Sequence, residues 1–121
     1  MKNVDRWFIL MAAAYALLGM CLGFWMGVNQ DFTHAHVHAH INLLGWASLA
    51  LFGIIYKVYP ELASKPLTKV HFYLSAIGAP IFFAGIPVAN AGTTILPAVV
   101  GSLMLIASML VFLVNFSGGT R

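Results

Sequence analysis

Trp7-Phe8-Ile9-Leu10-Met11-Ala12-Ala13-Ala14 opens an apolar run that continues to about Val28, where Asn29-Gln30-Asp31 ends it. A run of this length matches the roughly 20 residues that one helix needs to cross the hydrocarbon layer of a bilayer. It is too long for a cleaved secretory leader and has no small-residue cleavage site before a polar chain, so it reads as a retained helix. Three further runs follow, at about 36–59, 70–89 and 95–116. Pro60 stops the second, 61–69 forms a loop, Asn90-Ala91-Gly92-Thr93-Thr94 reverses the chain, and 117–121 is a frayed tail. The fold expected is all-α: an integral membrane four-helix bundle, one transmembrane domain over 1–121.

Composition supports this. Of the 121 residues, 61% are hydrophobic and only 7% charged, too few polar side chains to coat a soluble globule, so the lipid bilayer is the first partner. The net charge of +3 comes from six Lys or Arg residues, and their placement speaks of membrane orientation, with no nucleic acid implied as a partner. Lys2 and Arg6 precede the first span, Lys57, Lys65 and Lys69 flank the second loop, and Arg121 ends the chain. The connections on the opposite side carry no Lys or Arg. The positive-inside rule then predicts an N-in/C-in, multi-pass protein of a bacterial-type inner (cytoplasmic) membrane. Trp7, Tyr56 and Tyr59 fall at the inner boundary, where an aromatic belt is expected. Cys21 stands alone, which rules out a disulfide or thiolate metal site within one chain.

Gly19, Gly23 and Gly27 recur at four-residue intervals in the first span, with Tyr15 a turn earlier, giving a face that another helix can approach closely. This is one candidate face for a homo-oligomer. Gly78, Pro80, Gly85 and Pro87 in the third span predict a bend at membrane depth.

The second span begins with His34-Ala35-His36-Val37-His38-Ala39-His40, four of the five histidines at alternate positions. Ionisable groups at membrane depth are costly and ask for a function, and imidazole binds Cu, Zn and haem iron through one nitrogen while the other is held by a neighbouring group. The metal-ligating candidates are therefore His34, His36, His38 and His40. At about 100° per residue, a helix places His34 and His38 on one face and His36 and His40 on nearly the opposite one; an extended start would bring neighbours to one side. The His34/His38 face continues into Gly45, Ser48, Phe52 and Tyr56, with Asn42 nearby, and is expected to face the bundle. The His36/His40 face continues into Leu43, Leu44, Ala47, Leu51, Ile54 and Val58 and is expected to face lipid, so that His40 needs a subunit neighbour to cover it. That makes this the second candidate face for a homo-oligomer. His71, at the far end of the third span beside Lys69, is expected to be an interfacial anchor.

His40-Ile41-Asn42-Leu43, followed by Leu51-Phe52-Gly53-Ile54-Ile55-Tyr56-Lys57-Val58-Tyr59-Pro60-Glu61, resembles the second helix of haem-copper oxidase subunit I, in particular its cbb3-type and nitric-oxide-reductase branches. His71-Phe72-Tyr73-Leu74-Ser75-Ala76-Ile77-Gly78 is similar to another helix start in that family, and the two stretches cover roughly a third of the chain. The resemblance implies a haem b on the outer side; the motif places His40 at the position of the axial ligand while the helical face favours His38, with Asn42 nearby, so both histidines stand as candidates. The family's remaining spans, its copper-binding histidines and its second axial ligand are not in this sequence, so a complete oxidase constellation is not implied.

Three functions follow from these residues. The first is a haem- or metal-binding membrane protein acting in electron transfer, redox sensing or metal supply to a respiratory complex. The second is a haem-free Cu or Zn binding or transfer protein, since imidazoles at i and i+4 suit these ions. The third is a structural accessory subunit of a larger membrane complex. No complete catalytic constellation is present in one chain.

Overall fold

The computed structural model of this chain describes residues 1–119; Thr120 and Arg121, the latter one of the six cations counted above, lie outside the described residues. The chain is all-α. Helix α1 spans Val4–Asn29, α2 Ala35–Val58, α3 Pro66–Asn90 and α4 Leu96–Gly119, and each is long and apolar enough to cross a membrane. The predicted loop at 61–69 is shorter than expected: Pro60–Ser64 forms a 3-10 turn and α3 begins at Pro66. A proline at the first helical position has no hydrogen bond to lose, so it opens α3 without cost. The predicted tail is helical through Gly119.

The terminal ammonium of Met1 donates to the Ala63 carbonyl, and Lys65 Nζ donates to the Asn115 carbonyl at 3.1 Å. These bonds gather the chain start, the α2–α3 connection and the end of α4 at one pole. Lys2, Arg6, Lys57, Lys65 and Lys69 belong to that pole. The histidine-bearing start of α2 and the α3–α4 turn lie at the other.

Small residues set the helix contacts. A Cβ on Gly19 would come within 2.5 Å of Asn42 Oδ1, one on Gly23 within 2.8 Å of His38 Cε1, and one on Gly45 within 2.8 Å of Tyr15 Cβ, so α1 and α2 touch through their glycines. Between α3 and α4, Gly78 faces Met104 and Gly85 faces the backbone of Ala98. The first candidate oligomer face is thereby corrected. Gly19 and Gly23 are covered by α2 of the same chain, and only Gly27 meets open space.

Helix α2 is not uniform. Ile41–Ser48 is a π-helix, flanked by α-helical Ala35–His40 and Leu49–Val58. Ser48 Oγ donates to the Leu43 carbonyl, five residues back, at 2.8 Å. Val37, Ile41, Gly45, Leu49 and Gly53, spaced by four, are all buried. An α-helix of about 3.6 residues per turn carries a four-residue repeat about 40° off its face at every step; the wider i→i+5 turns keep these residues inward. The segment thus absorbs the equivalent of one extra residue, rotating the histidine-bearing end by about 100° relative to a continuous α-helix.

Candidate functional site

His34 precedes the helix with φ −99° and ψ 23°, and Ala35–His40 is helical. The four histidines therefore fall on two faces, as the helical alternative requires. His38 is turned to α1, where its ring meets Gly23. Asn42, one turn on, donates to the His38 carbonyl at 3.0 Å, and its amide nitrogen lies 3.4 Å from each ring nitrogen. His36 is exposed and His34 half-buried. Just before them Asp31 Oδ1 accepts hydrogen bonds from Thr33 Oγ1 at 2.6 Å and Thr33 N at 3.0 Å. These bonds, assisted by nearby His34, hold the Asp31 carboxyl below the usual carboxylate range.

His40 departs from expectation. It does not look out to lipid awaiting a subunit neighbour. Its ring stands edge-on to Phe82 of α3, with centroids 5.3 Å apart and planes at 85°, and it lines a cavity of about 300 Å³ between α2, α3 and α4. The π segment is the physical reason. In a continuous α-helix His40 and Phe52, twelve residues apart, sit about 120° apart around the axis; absorbing one residue reduces this to about 20°. His40 therefore shares the cavity with Leu44, Ser48 and Phe52, which had been expected to divide between two faces.

The state of the His40 ring follows from one contact. Nδ1 lies 2.7 Å from the His36 carbonyl. A carbonyl only accepts, so this hydrogen bond puts a proton on Nδ1, and Nε2 is the nitrogen left for a ligand. Elsewhere the cavity is apolar, apart from serines. Ser48, Ser75 and Ser102 each donate to a backbone carbonyl, of Leu43, His71 and Val99 respectively, and Ser108 Oγ lies 2.6 Å from Ser75 Oγ. Ile106 and Met109 are more than half exposed and also line the cavity, so it opens sideways on the outer surface of the bundle, between α2 and α4.

Among the described residues, no three His, Cys, Asp or Glu side chains come together to hold a metal ion. No protein-family model matches this chain, and neither does any curated protein or solved structure. The site has to be understood from its own chemistry.

His71 is the second departure. It is not an interfacial anchor but fully buried, with Nδ1 2.8 Å from Tyr56 Oη and the ring packed among Phe8, Phe52 and Phe112 at 5.0, 4.5 and 5.1 Å. Tyr56, expected in an aromatic belt, is buried with it, whereas Trp7 and Tyr59 remain exposed. Beneath this pair Asn115 Nδ2 donates to Thr68 Oγ1 at 3.0 Å, and Thr68 Oγ1 donates to the Leu62 carbonyl. Among the described residues His71 Nε2 has no hydrogen-bond partner, and the ring is enclosed by Phe8, Phe52 and Phe112. A signal for this inward polar stripe existed: Thr68, His71 and Ser75 recur at i, i+3 and i+7, one face of a helix.

Proposed function

We propose that this chain is a multi-pass protein of a bacterial-type inner membrane, N-in and C-in, that holds a haem through His40 Nε2 on the outer side. The reading joins the resemblance to haem-copper oxidase subunit I with one observation, the state of His40. Its Nδ1–H is tied to a backbone carbonyl, the arrangement that orients a ligating imidazole and raises its basicity, and its ring lines an apolar cleft. Leu44, Phe52 and Phe82 supply the apolar surface that a macrocycle needs, and a haem bound there brings one-electron chemistry. His38 supports the same role less well, because Gly23 and Asn42 fill the space beside it. Electron transfer, redox sensing and supply to a respiratory complex all lie within this reading.

The second reading, a haem-free Cu or Zn protein, rests on His34 and His38, one helical turn apart. Such ions take three or four protein donors, so two imidazoles without a third converging donor need a second copy of the chain, and homo-oligomer formation belongs to this reading.

Purification in mild detergent followed by absorption spectroscopy and metal analysis separates the two. The expected result is a Soret band that is lost in His40→Ala and kept in His36→Ala, because the latter leaves the carbonyl in place. Stoichiometric Cu or Zn without a Soret band selects the second reading. Protein with neither overturns both.

A further inference from the structure

Four of the side chains lining the cleft are serines, and the proton of each is already engaged. Ser48 Oγ donates to the Leu43 carbonyl at 2.8 Å, and Ser102 Oγ to the Val99 carbonyl at 2.9 Å. Ser75 and Ser108 are 1% and 2% exposed, and their Oγ atoms lie 2.6 Å apart. Both also reach the His71 carbonyl, Ser75 at 2.9 Å and Ser108 at 3.5 Å. Whichever hydroxyl donates to the other, the remaining proton goes to that carbonyl, and both protons stay within the trio. The Nδ1 proton of His40 is engaged in the same way, by the His36 carbonyl. A serine whose proton is engaged still accepts through its lone pairs. The serines therefore present acceptors to the cleft and no spare donor.

This pattern selects an occupant. A ketone, quinone or carboxylate brings acceptors only and would leave them unpaired against the serines. An ammonium brings donors together with a charge, and among the described residues no Asp or Glu lines the cleft to neutralise it; a buried unpaired charge is the costlier defect. A neutral hydroxyl has neither fault. The volume of about 300 Å³ is about twice the ~150 Å³ in which an apolar cavity holds a benzene ring. Phe52 and Phe82 supply aromatic walls, against which a second ring packs edge-on or offset. The lips, Ile106 and Met109, are 57% and 51% exposed on the outer surface of the bundle, so the way in is from the bilayer.

We propose that the cleft binds the ring of a membrane-dissolved phenol, whose hydroxyl donates to the serines while its alkyl chain leaves between Ile106 and Met109 into the lipid. A simple alkylphenol and the reduced, hydroquinone form of a quinone lipid share this chemistry. The inference goes beyond the haem reading, because it uses the hydroxyl groups of the cleft and no iron.

The test uses the full chain in lipid nanodiscs, with ligand retention measured against empty discs of the same lipid. Para-pentylphenol should be retained at about one per chain, and its methyl ether, para-pentylanisole, about tenfold less, as the loss of a hydrogen bond to a buried group predicts. Pentylhydroquinone should be retained at least as well as the phenol, and its retention should fall about tenfold on oxidation to the quinone. Stronger retention of the hydroquinone assigns the site to quinone lipids, and equal retention to phenols in general. Ser102→Ala and Ser108→Ala should each weaken retention of the phenol several-fold and leave that of the anisole unchanged. Equal retention of phenol and anisole overturns the proposal without recourse to any variant, because apolar filling alone would then hold the ring. Equal retention of the quinone overturns the acceptor-only lining, and equal retention of octanol overturns the requirement for a ring. The Soret region of the same samples keeps the two readings apart. A Soret band without phenol retention sinks this proposal alone, and phenol retention without a Soret band sinks the haem reading alone.

Discussion

His40 and His71 are the same side chain at opposite poles of one bundle, and they are used in opposite ways. His40 commits one nitrogen to a backbone carbonyl, and its ring lines an open apolar cleft. His71 commits one nitrogen to Tyr56 and seals the other inside a cage of rings. An imidazole in a membrane protein thus needs a partner for one nitrogen in either case; what differs is whether the second is left accessible. Accessibility, and not burial, marks the candidate site.

The comparison is tested most severely by truncating both. His71→Ala opens a void among Phe8, Phe52 and Phe112 and leaves the Tyr56 hydroxyl without its partner, so a loss of about 3 kcal/mol is expected in reversible unfolding in mixed micelles. His40→Ala should stay within about 0.5 kcal/mol of the parent, as substitutions at open positions do. Equal losses would dissolve the distinction. The next effect concerns the packing behind the histidines. Gly23→Ala forces a methyl into the His38 ring and should cost about 1–2 kcal/mol, whereas Gly27→Ala, with nothing within 4 Å, should gain up to about 1 kcal/mol of helix propensity. A cost at Gly27 like that at Gly23 would restore this face as a contact between copies.

A smaller effect is expected from pH at the histidine pole. The Thr33 hydrogen bonds lower the folded-state pKa of Asp31, so their contribution is present above the ordinary carboxylate pKa and lost as pH falls through the depressed value. Asp31→Asn should flatten the acid limb of the stability profile, read as a difference between the two curves. An unchanged limb would place acid sensitivity elsewhere.

Much of the fold was legible in the sequence, because a membrane span is a property of length and hydropathy summed over about twenty residues. The four runs at 7–28, 36–59, 70–89 and 95–116 match the four helices to within a few residues at each end, the largest difference being the early start of α3 at Pro66. The facing of α2 was not legible, because the helical wheel assumed 3.6 residues per turn. The strict spacing of Val37, Ile41, Gly45, Leu49 and Gly53 carried the signal of a wider turn. His71 was misplaced for a different reason: its partner Tyr56 lies on another helix, and a contact between helices is written in neither segment alone. The aromatic cage around it comes from α1, α2 and α4 together.

The π segment offers the finest test, with the smallest expected change in stability. If Ile41–Ser48 absorbs one residue, deleting one there lets α2 continue as an α-helix with both flanking segments in their present orientations. Leu43 is 64% exposed. Its deletion should therefore leave stability within about 0.5 kcal/mol and keep position 40 beside Phe82, since a π turn has no energetic advantage over an α turn of its own. A His40→Cys/Phe82→Cys pair should cross-link under mild oxidation both in the parent length and in the deletion background. Cross-linking in the parent alone would mean that the segment does not absorb one whole residue, and the rotation of His40 toward the cleft would need another cause.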